Sequence, residues 1–388
     1  MRNLFHFFFP SLLVPVALAC ASAAPEAAPA DAGTHTDAQA PETQAPDAGD
    51  PACADYDATV QAGLDAERVR QKLKYATIAS WTERCGMHVY VTHDEQSPPI
   101  TDASFWRIGS VTKTYVAATV LRLLEQGKLS LEDTIDKWFP SFPRSSTITV
   151  RHLLNHTSGI FNYTDTKTFR DSITSSPKKV LTPEELIAMA SEQEPTGEPG
   201  ASFSYSNTNY VLLGRIIEAV TGEKAHVVIR REAMDRAGLT QTFLDGQEAV
   251  PGDFAKGYAN GQDATKVFDL SIAWTAGAMA TTPADLLLWL RAMYIDQKVV
   301  SASSFTQMTT SVPGAGYGLG VQITDAKSAP VAGRSFGHGG SIFGYQTSAL
   351  AFPDTKFALV AITGASEGSP NGLVVAALGA FKALKATP

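Results

Sequence analysis

Apolar residues at Val116, Val120, Leu121, Leu123 and Leu124 follow a helical rhythm that stops at Gly127. A similar spacing occurs at Val60, Leu64, Val69 and Leu73, at Val211, Leu212, Ile216, Ile217 and Val220 ahead of Gly222, and again between Leu373 and Leu384. Thr182-Pro183 and Thr282-Pro283 each place a capping hydroxyl before a proline, with an acid two residues further on, which predicts two helix starts. Thr149 begins a short helix that stops near Ser158-Gly159, and Ser130-Leu-Glu-Asp133 has a capping-box pattern. Met87–Val91, Tyr317–Val321, Gln346–Ala351 and Phe357–Ile362 read as strands, the later ones with glycine-rich turns. Helix and strand at both ends around a helical middle predict an α/β fold, with a sheet built from both chain ends and an inserted, mostly helical lobe. A cleft between the two is the natural place for a site.

Composition changes this picture chiefly at the N-terminus. Met1 to Ala19 reads as an export signal: Arg2, an apolar run, then small residues. Leu18-Ala19-Cys20 resembles a lipobox, with Ala17 where leucine is usual, so a lipid on Cys20 is the expected membrane link; cleavage near Ala21-Ser22-Ala23 is the alternative. Residues 20–54 are rich in Ala and Pro and carry acids but no Lys or Arg, which predicts a flexible tether. The folded domain is expected over 55–388. Most of the net charge of −8 lies in the tether, at Glu26, Asp31, Asp37, Glu42, Asp47 and Asp50. The nearly neutral body has no basic footprint for nucleic acid. Cys53 and Cys85 are either a disulfide pair, which an exported chain can keep, or two separate thiols.

Three segments carry candidate chemistry. The first is Phe105-Trp-Arg-Ile-Gly-Ser-Val-Thr-Lys113, where Ser110 opens the first helix described above and Lys113 lies one turn on. A serine hydroxyl needs a neighbouring base to act as a nucleophile, and Ser-x-x-Lys on a helix supplies one. The same spacing at Ser175/Lys178 and Ser176/Lys179 sits in a polar run broken by Pro177 and fixes no geometry. The second segment is Tyr205-Ser-Asn207, which leads into an amphipathic helix; a phenol can relay a proton, and a carboxamide can hold a carbonyl and a lysine together. Tyr258-Ala-Asn260 precedes no such helix. The third is Gly337-His-Gly-Gly-Ser341, where glycines let a ligand approach the backbone and His338 can lend a proton or partial charge. Taken singly, each has an ordinary structural reading: a helix cap, a core tyrosine, a glycine turn. His152 and His156 read as helix-end residues, there is no His-Glu-x-x-His, and no metal or cofactor is expected.

Together and in this order, the three segments resemble the serine β-lactamase and penicillin-binding-protein superfamily, most of all its class C branch and the soluble D-alanyl-D-alanine carboxypeptidases. Residues 124–133, 148–160, 199–210 and 317–320 add to the resemblance, which covers about residues 56 to 385. It implies a β-lactamase/transpeptidase-like antiparallel sheet flanked by helices, and an acyl-serine mechanism on a small-molecule or peptide substrate: a D-alanyl peptide, a β-lactam or an ester. Ser110 would be the nucleophile, with Lys113 and Tyr205 sharing the proton traffic. Asn207, His338, Gly339, Gly340 and Ser341 would hold the substrate, the backbone N–H groups of Ser110 and Ser341 forming the oxyanion hole. A cationic Lys113 would depress Tyr205, which makes Tyr205 the expected base. The expected activity is that of an exported D-alanyl-D-alanine carboxypeptidase. An esterase or β-lactamase, or a penicillin-binding sensor that does not turn over, are the alternatives. Two departures bear on substrate. His-Gly-Gly-Ser replaces the His-Thr-Gly-Thr of related carboxypeptidases, and Gln322 stands where they place an arginine that meets the substrate carboxylate. Arg334 is a candidate substitute. The missing cation favours an ester or a less charged amide.

Overall fold

The computed structural model describes residues 50–387; the leader, Cys20 and nearly all of the tether lie outside the described residues. Six antiparallel strands form the main sheet: β1 (Tyr75–Thr82), β2 (Gly86–His93), β3 (Gln322–Thr324), β4 (Ser335–Ile342), β5 (Tyr345–Phe352) and β6 (Phe357–Thr363), in the spatial order β2-β1-β6-β5-β4-β3. The N-terminal hairpin therefore pairs with the C-terminal strands, and the intervening chain between β2 and β3 forms the largely helical insert. β1 and β6 are buried along their whole length because both faces of the sheet are covered. Alternation divides each strand between two cores. Ala358, Val360 and Ile362 face the inserted lobe, while Phe357, Leu359 and Ala361 face helices α1 (Pro51–Gln71) and α5 (Asn371–Ala386).

The helices that carry the site are α2 (Thr112–Glu125) and α3 (Asn207–Thr221); α4 (Pro283–Leu290) packs on the sheet from the same side. α2 runs through the middle of the molecule and is buried from Thr112 to Leu121. It ends where Gly127 N–H bonds to Leu124 O and Lys128 N–H to Leu123 O, so the last carbonyls are satisfied. Thr182 and Thr282 cap their helices as their sequences predict.

Three expectations need correction. The N-terminal helix runs from Pro51 to Gln71 rather than from Val60 to Leu73, because the Asp50 carboxylate caps it by accepting from Ala52 N–H. Tyr317–Val321 is not a strand: Gly318 N–H bonds to Val321 O within a turn and Gly320 N–H to Leu154 O, and the ladder begins only at Gln322. Ser130–Asp133 closes a turn, with Ser130 N–H donating to the Asp133 carboxylate, and caps no α-helix. Cys53 and Cys85 are bridged, with Cα atoms 5.4 Å apart, joining α1 to the β1–β2 turn.

Candidate active site

Ser110 lies in a single 3₁₀ turn, Gly109–Val111, directly ahead of α2. Between Ser104 and Leu121 it is the one residue that is not buried. The turn is pinned from below: Ile108 N–H donates to Met279 O, and the Thr112 hydroxyl bridges Gly109 O and Met279 N–H. Gly109 has φ +51°, and a Cβ there would stand 2.7 Å from Ser341 N. A Cβ on Gly340 would stand 1.9 Å from Ile108 O. Both positions must be glycine for β4 to lie against the nucleophile turn, and this packing brings the third segment to the first.

The Lys113 side chain is fully buried and folds back along α2. Its Nζ lies 3.1 Å from Ser110 Oγ, 2.8 Å from Asn207 Oδ1 and 2.6 Å from Ala276 O. The Tyr205 hydroxyl is 2.8 Å from Ser110 Oγ. Ser110, Lys113, Tyr205 and Asn207 thus converge from two helix starts about a hundred residues apart in the chain. The decoys do not: Ser175 ends an exposed helix, and Tyr258 belongs to a small hairpin.

The electrostatics reverse the expected roles of lysine and tyrosine. Burial pushes the Lys113 amine well below its ordinary value. Among the described residues no ion pair forms at this amine; its partners are two carbonyl oxygens and a hydroxyl. Burial pushes the Tyr205 phenol up, offset only in part by its contact with Ser110. Desolvation therefore favours the uncharged form of both groups, and the expectation that a cationic lysine lowers Tyr205 is corrected. A neutral amine has two N–H donors and one lone pair. The Asn207 and Ala276 carbonyls take the donors, which leaves the lone pair for the Ser110 hydroxyl.

His338 is also buried. Its Nδ1 is 2.5 Å from Gly339 O and so carries the proton, and its Nε2 accepts from the Tyr317 hydroxyl at 2.9 Å. Burial pushes this imidazole down to about 3. It is a neutral wall of the cleft rather than a source of charge. Arg334 does not join the site: it is exposed at the start of β4, with its guanidinium 4.8 Å from the Phe336 ring centroid.

Strand alternation orients Ser341. Gly339 N–H points to the β3 side of β4, where it donates to Gln322 Oε1 at 2.9 Å. Two residues on, Ser341 N–H points the same way, and there β3 has already ended. The Ser341 N–H therefore faces the gap above Gly109, next to Ser110.

Sequence reasoning missed two contributors. Ala276 O could not have been found, because a backbone carbonyl leaves no side-chain signal. His156 was read as a helix-end residue, yet it is buried with φ +58°, and its ring centroid lies 4.2 Å from that of Tyr205. Its Nδ1 accepts from Ser206 N–H, the peptide that joins Tyr205 to Ser206. One imidazole thus holds both the ring and the backbone of Tyr205. Its signal was the unusual placement of a histidine beyond the last helical residue, in a position that demands left-handed backbone. Among the described residues, no three His, Cys, Asp or Glu side chains gather as metal ligands, and no helix is long and apolar enough to cross a membrane.

A buried lysine and a tyrosine converging on a serine at a helix start, beside an antiparallel sheet, define a serine hydrolase of the β-lactamase/transpeptidase fold. Residues 67–381 match the sequence model of the family described as Beta-lactamase, and the chain belongs to that family. It is 27% identical over 290 residues to Penicillin-binding protein 4* of Bacillus subtilis (strain 168), covering 69% of this chain and 62% of that one. The chain spans about three-fifths of the length of the curated relatives it matches. Among solved structures, it superposes on a D-stereospecific amidohydrolase from Streptomyces sp. with TM-score 0.73 and 30% identity, over 82% of this chain and 97% of the other. It superposes on the D-amino acid amidase of Ochrobactrum anthropi SV3, complexed with D-phenylalanine, with TM-score 0.74 and 26% identity, over 84% and 99%.

Proposed function

We propose that this protein is an exported acyl-serine hydrolase that cleaves the amide bond on the carboxyl side of a D-amino acid residue, D-alanyl peptides of cell-wall type among its substrates. The observation that carries this is the Lys113 amine, buried with no carboxylate partner among the described residues, bonded to the Asn207 and Ala276 carbonyls and 3.1 Å from Ser110 Oγ. Lys113 takes the Ser110 proton as Oγ bonds to the substrate carbonyl carbon. The Ser110 and Ser341 N–H groups hold the oxyanion; one such donor is worth about 2.7–4 kcal/mol. When the C–N bond breaks, the leaving amine takes a proton from the Tyr205 hydroxyl, which recovers it from Lys113. Water then attacks the acyl ester, its proton passing to the same base, and Ser110 regains its hydroxyl. The D-stereospecific amidohydrolase and the D-amino acid amidase among the structural neighbours support the D-configuration, and the named penicillin-binding relative supports the cell-wall class. The leader-like pattern at 1–19 and the Cys53–Cys85 bridge support export, with Cys20 as lipid anchor.

The test is gel labelling by a fluorescent penicillin, lost in Ser110→Ala, followed by turnover of a D-alanyl-D-alanine peptide, a cephalosporin and a p-nitrophenyl ester side by side. Faster turnover of the peptide supports the reading. A stable penicillin adduct with no turnover of any substrate would make the protein a sensor, and labelling that survives Ser110→Ala refutes the nucleophile.

A further inference from the structure

We infer that Gln322 sets leaving-group specificity, so that the cleft accepts acyl donors whose leaving group carries an uncharged carbonyl, a carboxamide or a continuing peptide, in preference to a free terminal carboxylate. This rests on the acyl-serine reading above and narrows its substrate class.

The argument starts from where β3 stops. β3 pairs with β4 only through Gln322↔Gly337, Ile323↔Phe336 and Thr324↔Ser335. Beyond Gly337 no strand pairs with the outer edge of β4; Gly339 N–H and O are taken there by Gln322 Oε1 and His338 Nδ1, so a substrate passing Gly339 meets these side chains. Gln322 stands at the closed end of this edge. Its Oε1 accepts from Gly339 N–H, which fixes the carboxamide: Nε2 and its two donors are turned away from Gly339. Nε2 has no hydrogen-bond partner among the described residues, and Gln322 is only half-buried, so both donors are free for a ligand.

The leaving group is directed to this end. Tyr205 must protonate it, and the Tyr205 ring lies 6.3 Å from that of His338, the neighbour of Gly339. From the oxyanion position at Ser341, the leaving group therefore runs back past Gly339, which has no side chain, toward Gln322. Two strand residues span about 7 Å, the reach of one further residue with its terminal carbonyl group. What that group meets is neutral. Gln322 offers amide donors, and His338 is pushed down to about 3 and holds no charge at physiological pH. A carboxylate brought here gives up water without gaining a cation, whereas a carboxamide or peptide carbonyl accepts the same hydrogen bonds at less desolvation cost.

The test compares N-acetyl-D-alanyl-D-alanine with its C-terminal amide, using wild type and Gln322→Arg. D-alanine and D-alaninamide are also offered as competing acceptors for the acyl-enzyme formed from a p-nitrophenyl ester. Wild type is expected to favour the amide at least tenfold in kcat/KM, mostly through KM, and to favour D-alaninamide as acceptor. Gln322→Arg is expected to reverse both preferences. Equal or inverted preference in wild type, or ratios unmoved in an active Gln322→Arg enzyme, overturns the inference alone. If neither dipeptide is cleaved, the D-alanyl reading falls and the acceptor ratio still decides the role of Gln322. If no turnover depends on Ser110, both readings fall together.

Discussion

Replacing Lys113 by methionine should abolish acylation and yet stabilise the protein at neutral pH. Burial lowers the Lys113 amine from its ordinary value, and each pH unit of that lowering costs the folded protein about 1.36 kcal/mol at pH values below the lowered one. Methionine removes that cost and fills similar volume. Against this, Ala276 O is buried and loses its donor, a penalty of about 1–3 kcal/mol, while Asn207 Oδ1 is half-buried and turns to water for about 1 kcal/mol. The variant should therefore be more stable than wild type at neutral pH. The pH dependence follows from the direction of the shift. The folded-state value of Lys113 is depressed, so between that value and 10.5 the unfolded chain binds a proton that the folded chain does not. Wild-type stability accordingly rises with pH across this window. The advantage of Lys113→Met should shrink by up to about 1.4 kcal/mol per pH unit as pH rises toward the ordinary lysine value. Urea unfolding of both proteins from pH 6 to pH 10 reads this directly. A difference that stays constant over the range would mean that Lys113 is charged in both states. The neutral-amine mechanism would then be wrong, and Tyr205 would have to be the base.

The same depressed amine predicts the acid limb of kcat/KM: activity falls as pH drops through the folded-state value of Lys113, and a profile that first rises near the ordinary lysine range would contradict it. Gly340→Ala should force β4 away from Ile108 O and slow penicillin labelling at least a hundredfold, with the fold retained by circular dichroism; unchanged labelling would show that the close approach is dispensable. Replacing both Cys53 and Cys85 by serine, which opens a loop of sequence separation 32, should cost about 3–4 kcal/mol in urea unfolding and leave ester turnover unaltered below the unfolding transition. His156→Phe keeps a ring against Tyr205 but leaves Ser206 N–H and the Asn209 amide without their acceptor. It should lower kcat more than it raises KM, and a pure loss of stability with kcat intact would assign His156 a packing role only.

What could be read from the chain was what local chemistry fixes. The helical rhythm after Ser110, the threonine caps at Thr182 and Thr282 and the unbroken apolar run Phe357–Ile362 each depend on neighbours within a few residues, and each reappears in the structure. The first buried strand, Tyr75–Thr82, went unrecognised because a strand covered on both faces shows no alternation. Tyr317–Val321 looked like a strand but spends its backbone hydrogen bonds on a turn and on Leu154, partners that sequence spacing does not reveal. The residues of the site were legible as types: Ser110, Lys113, Tyr205, Asn207 and the His338–Ser341 run. Their protonation was not. A free lysine and a free tyrosine titrate too close together for sequence to rank them. Only the tertiary structure removes Lys113 from water, gives it Ala276 O and Asn207 Oδ1 in place of a carboxylate, and turns Gln322 toward Gly339. Desolvation and the direction of a hydrogen bond are properties of surroundings assembled from distant parts of the chain, and no single segment contains them.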